Sequence, residues 1–292
     1  MVEPQMRALG VDVGGTAIKF GRVSPHGDLQ DTRQVPTPKD PHALADVVAR
    51  QWERTPADRI GLVTPGIVDD DAGIVRYSAN LDWHDLPLRD LVADRIGHEV
   101  SFGHDVRAGA LAESRWGTGA PDMIFLPLGT GMAAGLILEG RIRGTGWAGE
   151  VGQIYVQDPD GSGRLPLEQV AAAGALARRY AALTGSTDIS AGARGVLERL
   201  AAGDRTAAWV FDSAMAVLAG MIADLAGLLG PIPIVIGGGL AEAGEQLFGP
   251  LQQALADRMT AAAIPSLRRA ELGQWAGCLG AAALTLPSGG TP

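Results

Sequence analysis

At 292 residues, 46% hydrophobic and 20% charged, the chain has a globular composition and enough length for two domains, each with its own core. A net charge of −9 excludes a surface built to neutralise nucleic-acid phosphates, and the single cysteine, Cys278, excludes an internal disulfide or a multi-cysteine metal cluster. No secretory leader pattern and no uninterrupted apolar run of bilayer-spanning length is read, so a cytoplasmic protein with no membrane or nucleic-acid partner is expected.

Residues 9–23, LGVDVGGTAIKFGRV, place an apolar run interrupted by Asp12 before Gly14-Gly15-Thr16 and a second apolar segment, which predicts a β-hairpin with a glycine turn. Glycine permits positive φ and lets backbone N–H groups approach an anion without a Cβ in the way. The Thr16 hydroxyl adds a donor, and Asp12 at the strand end suits a magnesium ion held through water. A plain tight hairpin with a buried or capping Asp fits the same residues equally well.

Further along, a strand is expected at 32–35, a Pro-bounded break at 36–41, and a helix over 42–55 from the spacing of Leu44, Val47, Val48 and Trp52. A short strand at 60–63 ends in Thr64-Pro65-Gly66, the acidic run 69–71 with Gly73 marks another turn, and Ser78-Ala79-Asn80-Leu81 is a loop before Trp83. A helix at 88–96 and a strand at 100–102 deliver Gly103-His104-Asp105 to an Ala-rich helix over 106–116. Asp105 thus stands at a helix N-terminus, where it is either a carboxylate placed for chemistry or an ordinary N-cap.

A strand at 123–128 runs into Gly129-Thr130-Gly131 and a returning strand at 133–138. This repeats strand, Gly/Thr turn and strand about 115 residues after the first copy, suggesting an internal duplication in which each turn is a candidate phosphate cradle. Residues 141–153, RIRGTGWAGEVGQ, are glycine-dense and carry Glu150; a polar loop at 157–163 precedes an Ala-rich helix over 167–180 with Glu168 near its start. Helices at 194–202 and 207–229 carry Ala/Leu stripes assigned to the core. A strand at 232–236 ends in Gly237-Gly238-Gly239 with a helix from about 244, an arrangement that lets backbone pass close to a flat or anionic ligand. Residues 270–286 read as a strand-like start and a small-residue helix in which Cys278 is a buried apolar residue, and 287–292 as a disordered tail.

The motifs DVGGT (12–16), HDVRAGALAE (104–113), GTGMAAGLILEGRIRGTGWAGEVGQ (129–153) and IGGGLAE (236–242), in this order, resemble the ROK family (repressors, open reading frames and sugar kinases) of the actin-like ATPase superfamily. The resemblance covers residues 9–284. It implies an α/β, two-domain actin-like ATPase (ribonuclease H-like) fold with a central cleft. The expected division is an N-terminal domain at 1–106, joined by a C-terminal helix at about 281–292, and a C-terminal domain at 107–280. The implied activity is transfer of phosphate from ATP, with magnesium, to the primary (6-) hydroxyl of a glucose-like hexose, in a homodimer.

By this resemblance Asp12, Gly14, Gly15 and Thr16, with Gly129, Thr130 and Gly131, bind ATP phosphates and magnesium, while Gly237, Gly238 and Gly239 pass the adenosine. Asp105 is the general base, and Gly66, Asn80, Asp105, Glu150 and Glu168 ring the sugar, whose hydroxyls both donate and accept. Two departures stand out. His104 occupies a position where family kinases usually have Asn, and Gln153 one where many have a histidine that ligates zinc with three downstream cysteines. The loop at 157–163 has no cysteine, so no zinc site is expected. His104 and Gln153 either merely orient their neighbours or retune the sugar pocket, which would admit 3-amino-3-deoxyglucose, N-acetylmannosamine or a C7 cyclitol. A sugar-sensing, non-catalytic relative is the remaining alternative. Family repressors carry a helix-turn-helix ahead of the hairpin, and with eight residues before Leu9 DNA binding is not expected.

Overall fold

A computed structural model of the protein describes residues 6–187, 190–259 and 264–287; the expected disordered tail lies, from 288 on, outside the described residues. The chain divides into two compact units: Met1–Phe125 with Gly135–Gly149 and Glu271–Pro292, and Leu126–Ala134 with Glu150–Ala270.

In the first unit, strands β1 (Ala8–Val13), β2 (Ala17–Val23) and β3 (Leu29–Pro36) form an antiparallel meander, followed by helix α1 (Pro41–Arg54) and strand β4 (Arg59–Thr64). A small sheet of β5 (Ile67–Asp69), β6 (Ile74–Ser78) and β7 (Trp83–Leu86) precedes α2 (Leu88–Ile96), β8 (Val100–His104) and α3 (Asp105–Trp116). The main sheet has the order β3-β2-β1-β4-β8, with β4 parallel to both β1 and β8. Central β1 and β4 are apolar runs buried on both faces, whereas edge strand β3 (LQDTRQVP) is polar and mostly exposed. Leu9, Val11, Ile18, Phe20, Leu44, Val48, Ile60 and Leu62 form its core.

Strand β9 (Met123–Pro127) leaves the first unit after Phe125; β10 (Gly135–Leu138) pairs with its residues 123–125, and β11 (Arg141–Arg143) pairs with β10. The second unit continues with β12 (Tyr155–Gln157) and β13 (Arg164–Pro166), paired as a hairpin. Helices α4 (Leu167–Ala171), α5 (Ala173–Thr184), α6 (Gly192–Ala201) and α7 (Arg205–Leu229) follow, then β14 (Ile234–Gly237), α8 (Glu245–Ala256) and β15 (Leu267–Arg269). The chain closes in the first unit with α9 (Ala276–Ala283). The sheet order β11-β10-β9-β14-β15 repeats that of the first sheet, with a hairpin's first strand in third place, as the duplicated Gly/Thr turns suggest.

The first unit reaches beyond residue 106, the expected boundary, because α3 and α9 pack together on its sheet. A Cβ on Gly10 would lie 2.1 Å from the Cys278 carbonyl oxygen, one on Gly61 1.7 Å from that of Ala281, and one on Gly280 2.3 Å from the Ala108 backbone. Helix α9 (AGCLGAAA) therefore sits backbone to backbone on β1, β4 and α3, and cutting after 106 would part α3 from these contacts.

Four local expectations need correction. The single helix over 167–180 is two helices: Ala172 is extended (φ −67°, ψ 152°), and the Ala173 N–H donates to the Gly129 carbonyl at 2.9 Å instead of continuing the helical ladder. The strand expected from 270 lies at Leu267–Arg269, where it aligns in parallel with β14, and the strand expected from 133 starts at Gly135. None of Gly14, Gly15, Gly129 and Gly131 has positive φ, so at these turns glycine serves close approach rather than left-handed backbone. Helix α7, with 25 residues, is long and apolar enough by composition to cross a membrane, although Asp212 and Asp224 interrupt it; Val210, Phe211, Ala214, Leu218 and Ile222 are buried in the second unit's core.

Candidate active site

In the first unit, the parallel strands β1, β4 and β8 bring Asp12, Thr64 and His104 to their carboxyl ends, where open α/β sheets place ligands. Asp12 faces Lys19 across the β1–β2 hairpin, with Lys19 Nζ 3.8 Å from Asp12 Oδ2 and donating to the Gln274 carbonyl at 2.8 Å. Burial, then repulsion from the Asp105 charge, raises the Asp12 carboxyl to about 7, with Lys19 pulling the other way. Gly277 makes room for this carboxylate, since a Cβ there would lie 2.8 Å from it. Beyond Asp12, Thr37 pins the turn by donating from Oγ1 to the Gly14 carbonyl at 2.6 Å and from N to that of Thr16 at 3.1 Å. Gly15 and Thr16 are exposed, and a Cβ on Gly15 would touch Asn80 Cβ at 3.1 Å, which puts Asn80 beside the turn. Gly66 is the one residue type its site admits: φ is 114°, and a Cβ would lie 2.3 Å from the Tyr77 carbonyl oxygen.

Asp105 opens α3, where its Oδ1 accepts the Val106 N–H at 2.7 Å. Burial raises its carboxyl to about 6, while that hydrogen bond, Arg107 and Lys19 hold it down. His104, 4% exposed, is the N-cap: its Nδ1 accepts from the N–H groups of Val106 (3.2 Å) and Arg107 (3.5 Å). Burial and the Arg107 charge depress the imidazole to about 3, so it is neutral, with the proton on Nε2. A buried network holds this helix start. The Asp70 carboxylate accepts the His104 backbone N–H at 2.9 Å and pairs with Arg107 at 2.8 Å, and Arg107, 2% exposed, also donates to the carbonyls of Val68, Gly146 and Ala148.

The second unit gathers Gly129-Thr130-Gly131, Gln153 and Glu168. A Cβ on Gly131 or Gly152 would lie 3.4 or 3.1 Å from Glu168 Oε2, and Gln153 Nε2 donates to Glu168 Oε1 at 2.9 Å. Glu150 starts the short 3-10 turn Val151–Gln153, its carbonyl accepting the Gln153 N–H at 3.1 Å. Gly237 ends β14 and accepts the Leu128 N–H at 2.9 Å; Gly238, at φ 76°, lies where a Cβ would be 2.6 Å from the Leu128 backbone, and Gly239 is exposed. The loop ahead of Glu168 is tied down by charge. Asp160 is clamped by Arg179 (2.6 and 3.0 Å) and Trp209 Nε1 (2.9 Å), and Arg179 also reaches the carbonyls of Val170 and Val210 and the Ser213 hydroxyl.

Two Gly/Thr turns, each the first bend of a repeated sheet, with a partly buried carboxylate pair at one of them, are matched by a known pattern: the sequence profile of the ROK family spans residues 8–287. The chain belongs to the ROK family. It is 32% identical to the glucokinase of Thermotoga maritima, over 96% of this chain and 98% of that protein. It is 29% identical to the N-acetyl-D-glucosamine kinase of Mannheimia succiniciproducens, over 95% and 98%. Its fold matches that of a ROK family glucokinase from Streptomyces griseus in complex with glucose and AMPPNP, with a TM-score of 0.80, 30% identity, and 95% and 98% of the two chains covered. The α/β actin-like fold expected from the motifs is thus the observed one.

Four residues of this ROK protein's site escaped the motif reading: Asp70, Arg107, Lys19 and Gly277. Arg107 carried a usable signal, as a charge in the first turn of an Ala-rich helical stretch directly after His104-Asp105. Asp70 lay inside an acidic run that reads as an ordinary turn, and nothing local marks Lys19 or Gly277.

Proposed function

We propose that this ROK protein is a sugar kinase that transfers the γ-phosphoryl group of ATP to the primary (6-) hydroxyl of a glucose-like hexose. The observation that carries the reading is Asp105: a carboxylate at a helix N-terminus, raised to about 6, is ionised at neutral pH yet basic enough to take a hydroxyl proton onto its carboxylate oxygen. The Arg107–Asp70 network and the His104 cap fix its position, so His104 acts as a positioning residue. Asp12 is a largely desolvated carboxylate whose charge Lys19 only partly offsets, which fits a magnesium ion held through water. When bound, magnesium supplies charge neutralisation at the phosphates. The N–H groups and hydroxyls of the Gly14–Thr16 and Gly129–Gly131 turns bind phosphate oxygens, Gly237, Gly238 and Gly239 pass the adenosine, and Gly66, Asn80, Glu150, Gln153 and Glu168 contact the sugar. Support comes from the glucokinase relatives and from the AMPPNP and glucose held by the Streptomyces griseus enzyme.

An N-acetylated or amino hexose is the second reading, supported by the similarity to an N-acetylglucosamine kinase and by Gln153, an amide that already reaches Glu168. ATP turnover with magnesium against glucose, mannose, N-acetylglucosamine, N-acetylmannosamine, 3-amino-3-deoxyglucose and a C7 cyclitol decides between them. A preference for glucose upholds the first reading, a preference for an amino sugar the second, and no turnover with any sugar refutes both.

A further inference from the structure

A cavity lies in the first unit between edge strand β3 and helix α1, and shares no residue with the Asp12 and Asp105 cluster. Its volume is about 260 Å³, and its lining combines an apolar floor of Phe20, Val35, Pro36 and Val47 with Arg33, Arg50, Arg54 and Gln51. No carboxylate lines it, although acidic residues outnumber basic ones 33 to 24 in the whole chain. Along the same elements Asp31 pairs with Arg22 at 2.6 Å and Asp46 with Arg95, and Glu53 on α1 is exposed and does not line the cavity.

None of the three guanidinium groups is paired with a carboxylate among the described residues. Arg33 donates to Gln51 Oε1 at 3.1 Å, and Gln51, 7% exposed, is itself fixed by donating to Thr55 Oγ1 at 2.9 Å, so a buried amide aims Arg33 at the cavity. Arg50 and Arg54 stand one helical turn apart on α1, a like-charge spacing that opposes the helix, and among the described residues neither has a hydrogen bond or ion pair. Arg54 in the last turn complements the helix dipole, but that accounts for neither Arg33 on the facing strand nor Arg50. Arginine's planar fork suits phosphate, and at roughly 30 Å³ per water the space holds a phosphate group with a short carbon skeleton against the Phe20 floor.

We propose that Arg33, Arg50 and Arg54 form a binding site for a small phosphate-bearing molecule. Equilibrium dialysis of the full chain with labelled inorganic phosphate, and in a second arm with labelled glucose 6-phosphate, tests it against an Arg50→Gln/Arg54→Gln double variant. Both side chains are exposed and outside the kinase site, so the variant keeps any phosphate binding at the glycine turns, and the difference isolates this cavity. The expected result is a saturable site whose affinity falls at least tenfold in the variant, with ATP turnover unchanged when no probe is added. Equal binding of the two probes means the phosphate alone is read; tighter binding of the ester means the apolar floor contributes, and either supports the site. Identical binding curves for wild type and variant, in both arms, overturn it. If the double variant does not fold, Arg33→Gln is read by the same criteria.

Discussion

Asp12→Asn should make the ligand-free protein more stable at pH 8 while destroying its turnover. The Asp12 carboxyl titrates at about 7 in the fold against an ordinary value of 3.8, chiefly because it is desolvated. At 1.36 kcal/mol per pH unit, holding it ionised above pH 7 costs the fold about 4 kcal/mol. The sign is fixed by proton binding: between about pH 4 and 7 the folded chain binds more protons than the unfolded one, so stability falls as pH rises through that interval. An amide of the same shape escapes this penalty, which is already net of the attraction of Lys19, so a gain of up to ~4 kcal/mol is expected at pH 8 and little at pH 4. Urea denaturation of wild type and variant at both pH values, without nucleotide, measures it; the midpoint gap should open as pH rises. A gap that is the same at pH 4 and 8, or a variant less stable than wild type at pH 8, would refute the claim that Asp12 is a carboxylate kept waiting for a cation.

Asp105→Asn should leave sugar affinity within a few-fold, by isothermal titration, and lower turnover by ~100-fold or more; unchanged turnover would remove Asp105 as the base. In the wild type, kcat/KM should be lost as pH falls through about 6, where Asp105 takes up its proton, and steady-state kinetics between pH 5 and 8 would show a flat profile if it does not. Arg107→Met removes a buried guanidinium that binds Asp70 and the carbonyls of Val68, Gly146 and Ala148, and should cost ~3 kcal/mol of stability in thermal melts, with turnover falling further than unfolding at the assay temperature explains. Asp160→Asn breaks the clamp on the loop before Glu168. It should raise the KM for the sugar more than that for ATP, and equal changes in both would argue that the clamp serves the fold alone.

The hairpins were readable from residues 9–23 and 123–138 because apolar runs and Gly/Thr turns act within a few neighbours, and the family follows from the order of four such motifs. Asp105 at a helix start was equally local, since a strand, a polar residue and an Ala-rich helix suffice to place it. His104 was visible as a departure, but its buried capping role depends on the structure packed around it. The break at Ala172 depends on the bond from Ala173 to the Gly129 carbonyl, 44 residues earlier in the chain, and the position of β15 on its register with β14. Asp70 and Arg107 pair across 37 residues, and the room for the Asp12 carboxylate is left by Gly277 near the other end of the chain. Local sequence thus determined which residues are candidates for the chemistry, through propensities and spacings that span a turn or a strand. Only the tertiary structure decided their charge state and their support, because desolvation and buried pairing are set by whatever the fold brings alongside from distant parts of the chain.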